Sequence, residues 1–180
     1  MRRSQRLWLA ILVAAAALPA AGCFTRFNTN VRLEGTLAAE NAKVPPILVY
    51  LVGVSQADYK TWEAVPVDEV FRPDSKILQS VLYHTMHFGD HEPKMQTLSR
   101  DDEIWKKWCD QRKVEWLFVF AHLPPSPGMA DSKAGTADPR RRIFRLNSEC
   151  WPEYSLGNQT LDFYLSEGMI RFVGRYIEKK

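Results

Sequence analysis

Short apolar and alternating segments follow one another along the chain from about residue 30 onward. Strict alternation predicts a strand with one buried face, whereas a continuous β-branched run predicts a strand that is covered on both faces or lies deep in a sandwich. Residues 31–37 and 77–88 alternate, while residues 47–54 (ILVYLVGV) and 114–123 (VEWLFVFAHL) are almost wholly apolar. We therefore expect four strands here, with the two apolar runs buried most deeply.

Three further strands are expected in the second half of the chain. Residues 140–146 (RRRIFRL) predict one, and residues 161–165 and 169–173 flank a glycine-containing turn, as in a hairpin. The predicted strands do not alternate with helices. This order favours a mainly β fold, and we predict a single antiparallel β-sandwich domain over residues 31–180 with one inserted α-helix.

The inserted helix is predicted at residues 99–112. Ser99 followed by Asp102 resembles a capping box, and acidic residues precede basic ones along the segment, which suits the helix dipole. A short helix is also expected at residues 55–62, since Ser55 can cap it.

Two connections stand out as possible contact surfaces. Residues 63–74 contain Pro66 and Pro73 and predict a loop or a single turn. Residues 124–139 contain four prolines and two glycines. Loops of this length in compact domains are often functional.

Residues 1–22 have the pattern of an export signal. Three arginines precede an unbroken apolar run of twelve residues, 7–18, and small residues then lead to Cys23. A twelve-residue helix is about 18 Å long, too short for a bilayer core of about 30 Å. Gly22-Cys23 resembles the lipobox of bacterial lipoproteins, with Ala20 where leucine is usual. This predicts a lipid on Cys23 and a tether over residues 23–30; an ordinary signal-peptidase cut and an uncleaved helix are the alternatives.

Removal of the signal changes the charge argument. The chain has 24 basic and 21 acidic residues, and loss of the three signal arginines leaves 21 of each. A neutral mature chain gives no support for a nucleic-acid partner.

Two cysteines remain once Cys23 carries lipid. In an exported protein an even remainder favours a disulfide between Cys109 and Cys150. Closing that loop would stabilise the fold by about 4 kcal/mol. The alternative is a pair of unpaired buried thiols.

Histidines near residue 90 form the main cluster with metal-ligand chemistry. His84, His87, His91 and Asp90 have side chains that suit zinc or copper. On a strand, however, His84 and His87 face opposite sides, so we interpret the group as strand and turn residues and predict no metal.

Other candidates also have ordinary structural interpretations. Arg140, Arg141 and Arg142 either contact an anion or lipid headgroup, or begin a strand with solvated or acid-paired side chains. His122 lies in an apolar run and is expected in the core or at its rim. Tryptophans 62, 105, 108, 116 and 151 could form a carbohydrate platform, but core packing is the better interpretation. Common nucleophile and phosphate-binding motifs are not found, so we predict neither an enzyme nor a cofactor.

The order of elements resembles the small outer-membrane lipoprotein family of type VI secretion systems. The resemblance covers residues 31–175: a first strand, the apolar strand at residues 47–54, an excursion carrying Trp62 or Phe71, the strand at residues 114–123 and a final hairpin. It implies a transthyretin-like β-sandwich, not an enzyme, that holds the periplasmic part of an inner-membrane protein through loops at one end. It assigns no binding residue.

Two functional hypotheses follow. The first is an envelope lipoprotein that docks a protein partner through residues 63–74 and 124–139, in the outer membrane facing the periplasm, since Phe24 rather than Asp follows the cysteine. The second is a lipoprotein that binds a small ligand or a metal in the periplasm through the region from His84 to His91.

Overall fold

The computed structural model of the chain describes residues 26–40, 43–123, 138–146 and 160–173. Eight strands in these residues form two four-stranded sheets. The strands are β1 (Asn28–Leu33), β2 (Ile47–Val54), β3 (Tyr83–Phe88), β4 (Met95–Leu98), β5 (Trp116–Ala121), β6 (Arg141–Arg145), β7 (Thr160–Ser166) and β8 (Met169–Val173). The first sheet has the order β4-β1-β7-β8 and the second β3-β2-β5-β6.

Neighbouring strands are antiparallel except for β1 and β7, which are parallel. The predicted mainly β sandwich is therefore confirmed, with one parallel pair added. The main core lies between the sheets, where alternate side chains of β1 and β7 such as Val31 and Phe163 meet Val49 and Val119 of the second sheet.

The second sheet is also covered on its outer face. The excursion from residue 55 to residue 82 carries three short helices, α1 (Tyr59–Ala64), α2 (Val67–Val70) and α3 (Lys76–Gln79). Trp62 and Val70 of this excursion pack on Phe118 and Phe120 of β5 in a second apolar cluster. Both β2 and β5 are covered on two faces, since each contributes side chains to both clusters. For β2 this is one of the two environments expected from its apolar run.

Several predicted boundaries were wrong. Residues 77–88 are not one strand, since α3 ends at Gln79 and β3 begins at Tyr83. The reason is that Leu78 and its apolar neighbours pack in the outer cluster, on the outer face of the second sheet. A helical turn directs these neighbouring side chains toward the cluster, whereas a strand would direct them alternately to opposite sides. Residues 67–70 form a single helical turn, which agrees with the loop or single turn expected there, but the fold has more helices than the one inserted helix predicted.

The helix at residues 99–112 also differs from the prediction. Its cap is Asp102, whose side chain accepts from the Ile104 N–H at 2.9 Å, and the helix α4 (Glu103–Lys106) continues as a π-helical turn, Lys107–Gln111. Ser99 instead accepts the Asp102 N–H through its backbone carbonyl.

The first strand begins at Asn28, so the last three residues of the predicted tether belong to the sheet. It ends at Leu33 rather than residue 37, because Gly35 has a φ of 59° and starts a 3₁₀ turn, Gly35–Ala38. Strand β4 was missed because its four residues, MQTL, are too few to show a pattern. None of the helices in the described ranges has the length and apolar character that a bilayer crossing requires.

Candidate functional site

The strand ends divide the sandwich into two poles. We call the end at Asn28 the N-terminal pole; it also holds α4, because the Arg100 N–H donates to Asn28 Oδ1 at 2.9 Å. We call the opposite end the loop pole. It holds the end of β5, the start of β6 and the turn between β7 and β8, joined where the Ile170 N–H donates to the Pro139 carbonyl at 2.8 Å. The six residues of β1 separate the poles by about 20 Å.

The described residues of the two segments predicted as contact surfaces lie together at the loop pole. Arg140, which directly follows the long proline-rich connection, donates through Nη1 to Asp68 Oδ1 of α2 at 2.7 Å. Its Nη2 lies 2.9 Å from Asp138 Oδ2. The Arg140 and Asp138 side chains are 9% and 12% exposed, whereas that of Asp68 is 72% exposed. A buried ion pair therefore holds an exposed carboxylate at this end of the molecule.

Arg141 fixes the excursion to the second sheet by a different contact. Its Nη1 donates to the carbonyls of Glu63 at 2.7 Å and Val65 at 3.1 Å, where α1 ends. Carbonyls in the last turn of a helix lack intrahelical partners, and a cation there also suits the helix dipole. The buried guanidinium thus satisfies backbone groups that the short helix leaves open.

Electrostatics agree with these contacts. Hydrogen bonds to Asp138 and then Asp68 raise the pKa of the Arg140 guanidinium above its ordinary range. The hydrogen bond from Arg140 lowers the pKa of Asp68 below its usual value. Burial lowers the pKa of Arg141. The ion pair is therefore stable in its charged form at neutral pH.

An aromatic group extends the same surface. The ring of His122, exposed just after β5, lies 5.0 Å from that of Phe71, which stacks on Tyr50 at 4.9 Å. The prediction of a core or rim histidine is confirmed only for the rim. The loop pole therefore presents the Asp68 carboxylate, the His122 imidazole and the Phe71 ring, and the contacts of Arg140 hold the carboxylate in place.

Side chains also hold the loops of the first sheet at this pole. Thr36 donates to Glu167 at 2.6 Å, and Lys94 donates to the carbonyls of Ala38 and Ala39 at 2.8 and 2.9 Å. The Arg171 guanidinium donates to Glu34. Loops positioned in this way can present a surface of constant shape.

The structure describes only one of the three cysteines predicted as lipid and disulfide sites. Cys23 and Cys150 lie outside the described residues. Cys109 is the one cysteine of the described ranges; it is buried, and burial raises the pKa of its thiol. Lipidation and the Cys109–Cys150 bridge both stay predictions.

The histidine cluster does not converge. His84 lies opposite Leu51, and His87 lies opposite Leu48, so the two rings are on different faces of β3, as alternation predicts. His91 and Asp90 follow in the turn, where Asp90 accepts the Val44 N–H at 2.7 Å. Within the described ranges no group of three histidine, cysteine or acidic side chains could hold a metal ion.

The tryptophans are structural where the chain is described. Trp62, Trp105 and Trp108 are buried, as predicted. Trp116 is half-buried and donates to Gln56 at 2.8 Å, and Trp151 lies outside the described residues.

Within the described part of the chain only Arg140 of the arginine run pairs with acids as expected, whereas Arg141 and Arg142 donate to backbone carbonyls. Arg140 and Arg141 are buried and Arg142 is half-buried. The partner that sequence reasoning missed is Asp68. It lies 72 positions from Arg140, and no local pattern signals the pair.

Comparison with known proteins shows the fold. No protein-family profile and no curated protein matches the sequence. A chain of the structure "T6SS protein TssM C-terminal domain (869-1107) from EAEC" matches with a TM-score of 0.51 and 10% identity, over 82% of this chain and 99% of that one. A chain of "Type VI membrane complex" matches with a TM-score of 0.50 and 10% identity, over 83% and 98%.

The membrane-bound type VI secretion component Lip of Serratia marcescens is similar over 84% of this chain and 98% of its own, with 12% identity and a TM-score of 0.46. The resemblance inferred from the order of elements is thus confirmed at the level of the fold, by the structures with TM-scores of 0.51 and 0.50.

Proposed function

We propose that this chain is a lipid-anchored, non-enzymatic protein of the bacterial envelope that docks a protein partner at its loop pole. Its assembly is of the type VI secretion kind. The lipid is carried by Cys23, the partner is an envelope membrane protein, and the anchor lies in the outer membrane and faces the periplasm, because Phe24 rather than Asp follows the cysteine.

The opposite placement of the two poles carries this proposal. Asn28 lies five positions after Cys23, and such a tether spans at most about 18 Å. The N-terminal pole therefore stays close to the lipid. The loop pole lies about 20 Å further away, where another envelope protein can reach it.

The use of charge at the loop pole also supports docking rather than catalysis. Arg140 and Arg141 are occupied in holding Asp138, Asp68 and the end of α1. Their contacts make the surface rigid, which lowers the entropic cost of binding a partner.

Purification from the envelope tests the docking site. We would isolate the full-length protein from detergent-solubilised membranes of the bacterium that encodes it, with Glu69→Arg next to Asp68 at the loop pole. The matched control is Asp101→Arg at the N-terminal pole, since both acids are exposed. A second loop-pole variant replaces residues 124–137 by a short glycine–serine linker.

The proposal predicts one membrane protein in stoichiometric amount with the wild-type and control proteins, and its loss from both loop-pole variants. Equal recovery with all variants, or loss only with Asp101→Arg, would contradict docking at this pole.

Intact mass tests the anchor. The mass of the membrane-purified protein should equal residues 23–180 plus a diacylglycerol and an acyl group, and Cys23→Ser should lack the lipid. A wild-type mass without lipid, or one retaining residues 1–22, would overturn the lipoprotein assignment.

A further inference from the structure

A cleft opens on the outer side of the second sheet, on the opposite side of the excursion from the loop pole. It has a volume of about 380 Å³ and lies between the excursion and the segment that joins α4 to β5. Its apolar lining includes Trp62, Ile77, Val81 and Val114. This volume falls at the small end of the range for ligand sites.

Two opposite charges line the cleft without pairing. Asp58 and Arg112 both contribute to its wall, and neither forms an ion pair within the described ranges. Ser55 Oγ donates to Asp58 Oδ2 at 2.7 Å, which orients the carboxylate. The Arg112 side chain donates through Nη1 to the Ser80 carbonyl at 3.3 Å. Each charge therefore keeps free hydrogen-bonding capacity.

We propose that this cleft binds a small zwitterion, an apolar amino acid or a dipeptide. The ammonium group lies at Asp58, the carboxylate at Arg112, and the apolar side chain lies against Ile77 and Val81. A carboxylate prefers a guanidinium because two N–H groups can donate to it in parallel. This inference does not depend on the docking function, because it concerns a different surface.

Calorimetry with four probes tests the assignment on the full-length protein in detergent. The probes are L-leucine, L-leucyl-L-leucine, L-leucinamide without the carboxylate and N-acetyl-L-leucine without the ammonium. One of the two zwitterions should bind with a Kd of about 1 mM or tighter. Each capped analogue should bind at least about tenfold more weakly, since it loses a charged hydrogen bond.

Variants assign each end of the ligand. Arg112→Gln should weaken leucine binding to the level of leucinamide and leave leucinamide binding unchanged. Asp58→Asn should weaken leucine binding to the level of N-acetyl-L-leucine and leave binding of that analogue unchanged. Asp74→Asn and Lys76→Gln are matched controls, exposed and outside the cleft lining. Tighter binding of leucine indicates a free amino acid, and tighter binding of the dipeptide indicates a peptide.

Three results would overturn the proposal: no binding of either zwitterion, equal affinity for zwitterions and capped analogues, or discrimination that survives both cleft variants. Circular dichroism of each variant shows whether it is folded. If only the cleft variants unfold, the comparison of the four probes on the wild-type protein still decides the result.

Discussion

The outer faces of the two sheets differ in what covers them. On the second sheet, Phe118 and Phe120 are fully buried beneath the excursion. On the first sheet, Tyr164 occupies the corresponding outward position in β7, half-buried between the guanidinium groups of Arg32 and Arg171 at 5.1 and 5.0 Å. One sandwich therefore has a face stabilised by burial and a face of charged and aromatic residues open to water.

The excursion gives the second sheet a second core and brings Asp68 to the loop pole. The first sheet keeps its outer face polar, with Asn30 and Arg32 donating to Asp162 at 2.9 and 3.1 Å. A strand with one face open to water needs only alternating apolar and polar residues, whereas a strand covered on both faces needs apolar residues at successive positions.

The largest effect is expected from truncating aromatic rings on the two faces. Phe118→Ala should reduce the free energy of unfolding by about 4 kcal/mol, because it leaves a cavity beneath the excursion. Tyr164→Ala should cost about 1 kcal/mol, the value of exposed cation–π contacts. Urea unfolding followed by tryptophan fluorescence measures both. Similar losses would mean that the two faces are equally buried.

Replacing one arginine on each face gives the next largest difference. Arg141→Leu should lower the free energy of unfolding by about 2 kcal/mol, because the carbonyls at the end of α1 lose their donor. Arg171→Leu removes an exposed ion pair with Glu34 and should change it little. Hydrogen exchange should show opening of residues 59–70 only in Arg141→Leu; opening in neither variant would contradict this role.

A substitution at Gly53 of β2 tests whether this strand is covered on both faces. A Cβ on Gly53 would lie 2.7 Å from the Trp108 ring, so Gly53→Ala should cost about 2 kcal/mol. Gly89→Ala is the matched control, since nothing lies within 4 Å of its Cβ, and it should change stability by less than about 0.5 kcal/mol. Thermal unfolding of both variants tests this, and an unchanged melting temperature for Gly53→Ala would be inconsistent with the packing.

The smallest effect concerns acid stability. The hydrogen bond with Arg140 lowers the pKa of Asp68 in the folded protein below its ordinary value. Its contribution to stability is therefore present above that ordinary value and is lost as pH falls through the lowered value. In Asp68→Asn, the free energy of unfolding should therefore fall less between neutral and acid pH than it does in the wild-type protein. Glu34, whose pKa is lowered from 4.5 by exposed Arg171, should show a smaller effect in Glu34→Gln. Urea midpoints measured against pH compare the two, and an equal or larger effect of Glu34→Gln would contradict the ranking.

The sequence predicted what depends on local pattern. The continuous run in β2 revealed burial on both faces, and the hairpin of β7 and β8 followed from alternation around a glycine turn. Strand β4 and helix α3 were missed or misassigned because four residues carry too little periodicity, and tertiary packing decides their conformation.

The candidate site was predictable only in part. Both segments that meet at the loop pole were singled out, because proline content and length mark functional loops. The residues that join the two segments could not be predicted, since the contact between Asp68 and Arg140 depends on the path of the excursion across the sheet. The cleft charges Asp58 and Arg112 were missed for the same reason.

Photo-crosslinking at the two poles tests the central claim most directly. A photoreactive amino acid would be placed in the full-length protein at exposed Glu92 of the loop pole and, separately, at exposed Lys106 of the N-terminal pole. Irradiation in living cells should link Glu92 to an envelope protein and Lys106 to lipid. Protein crosslinks at Lys106 with lipid crosslinks at Glu92, or the same products at both positions, would contradict a sandwich anchored at one pole and docked at the other.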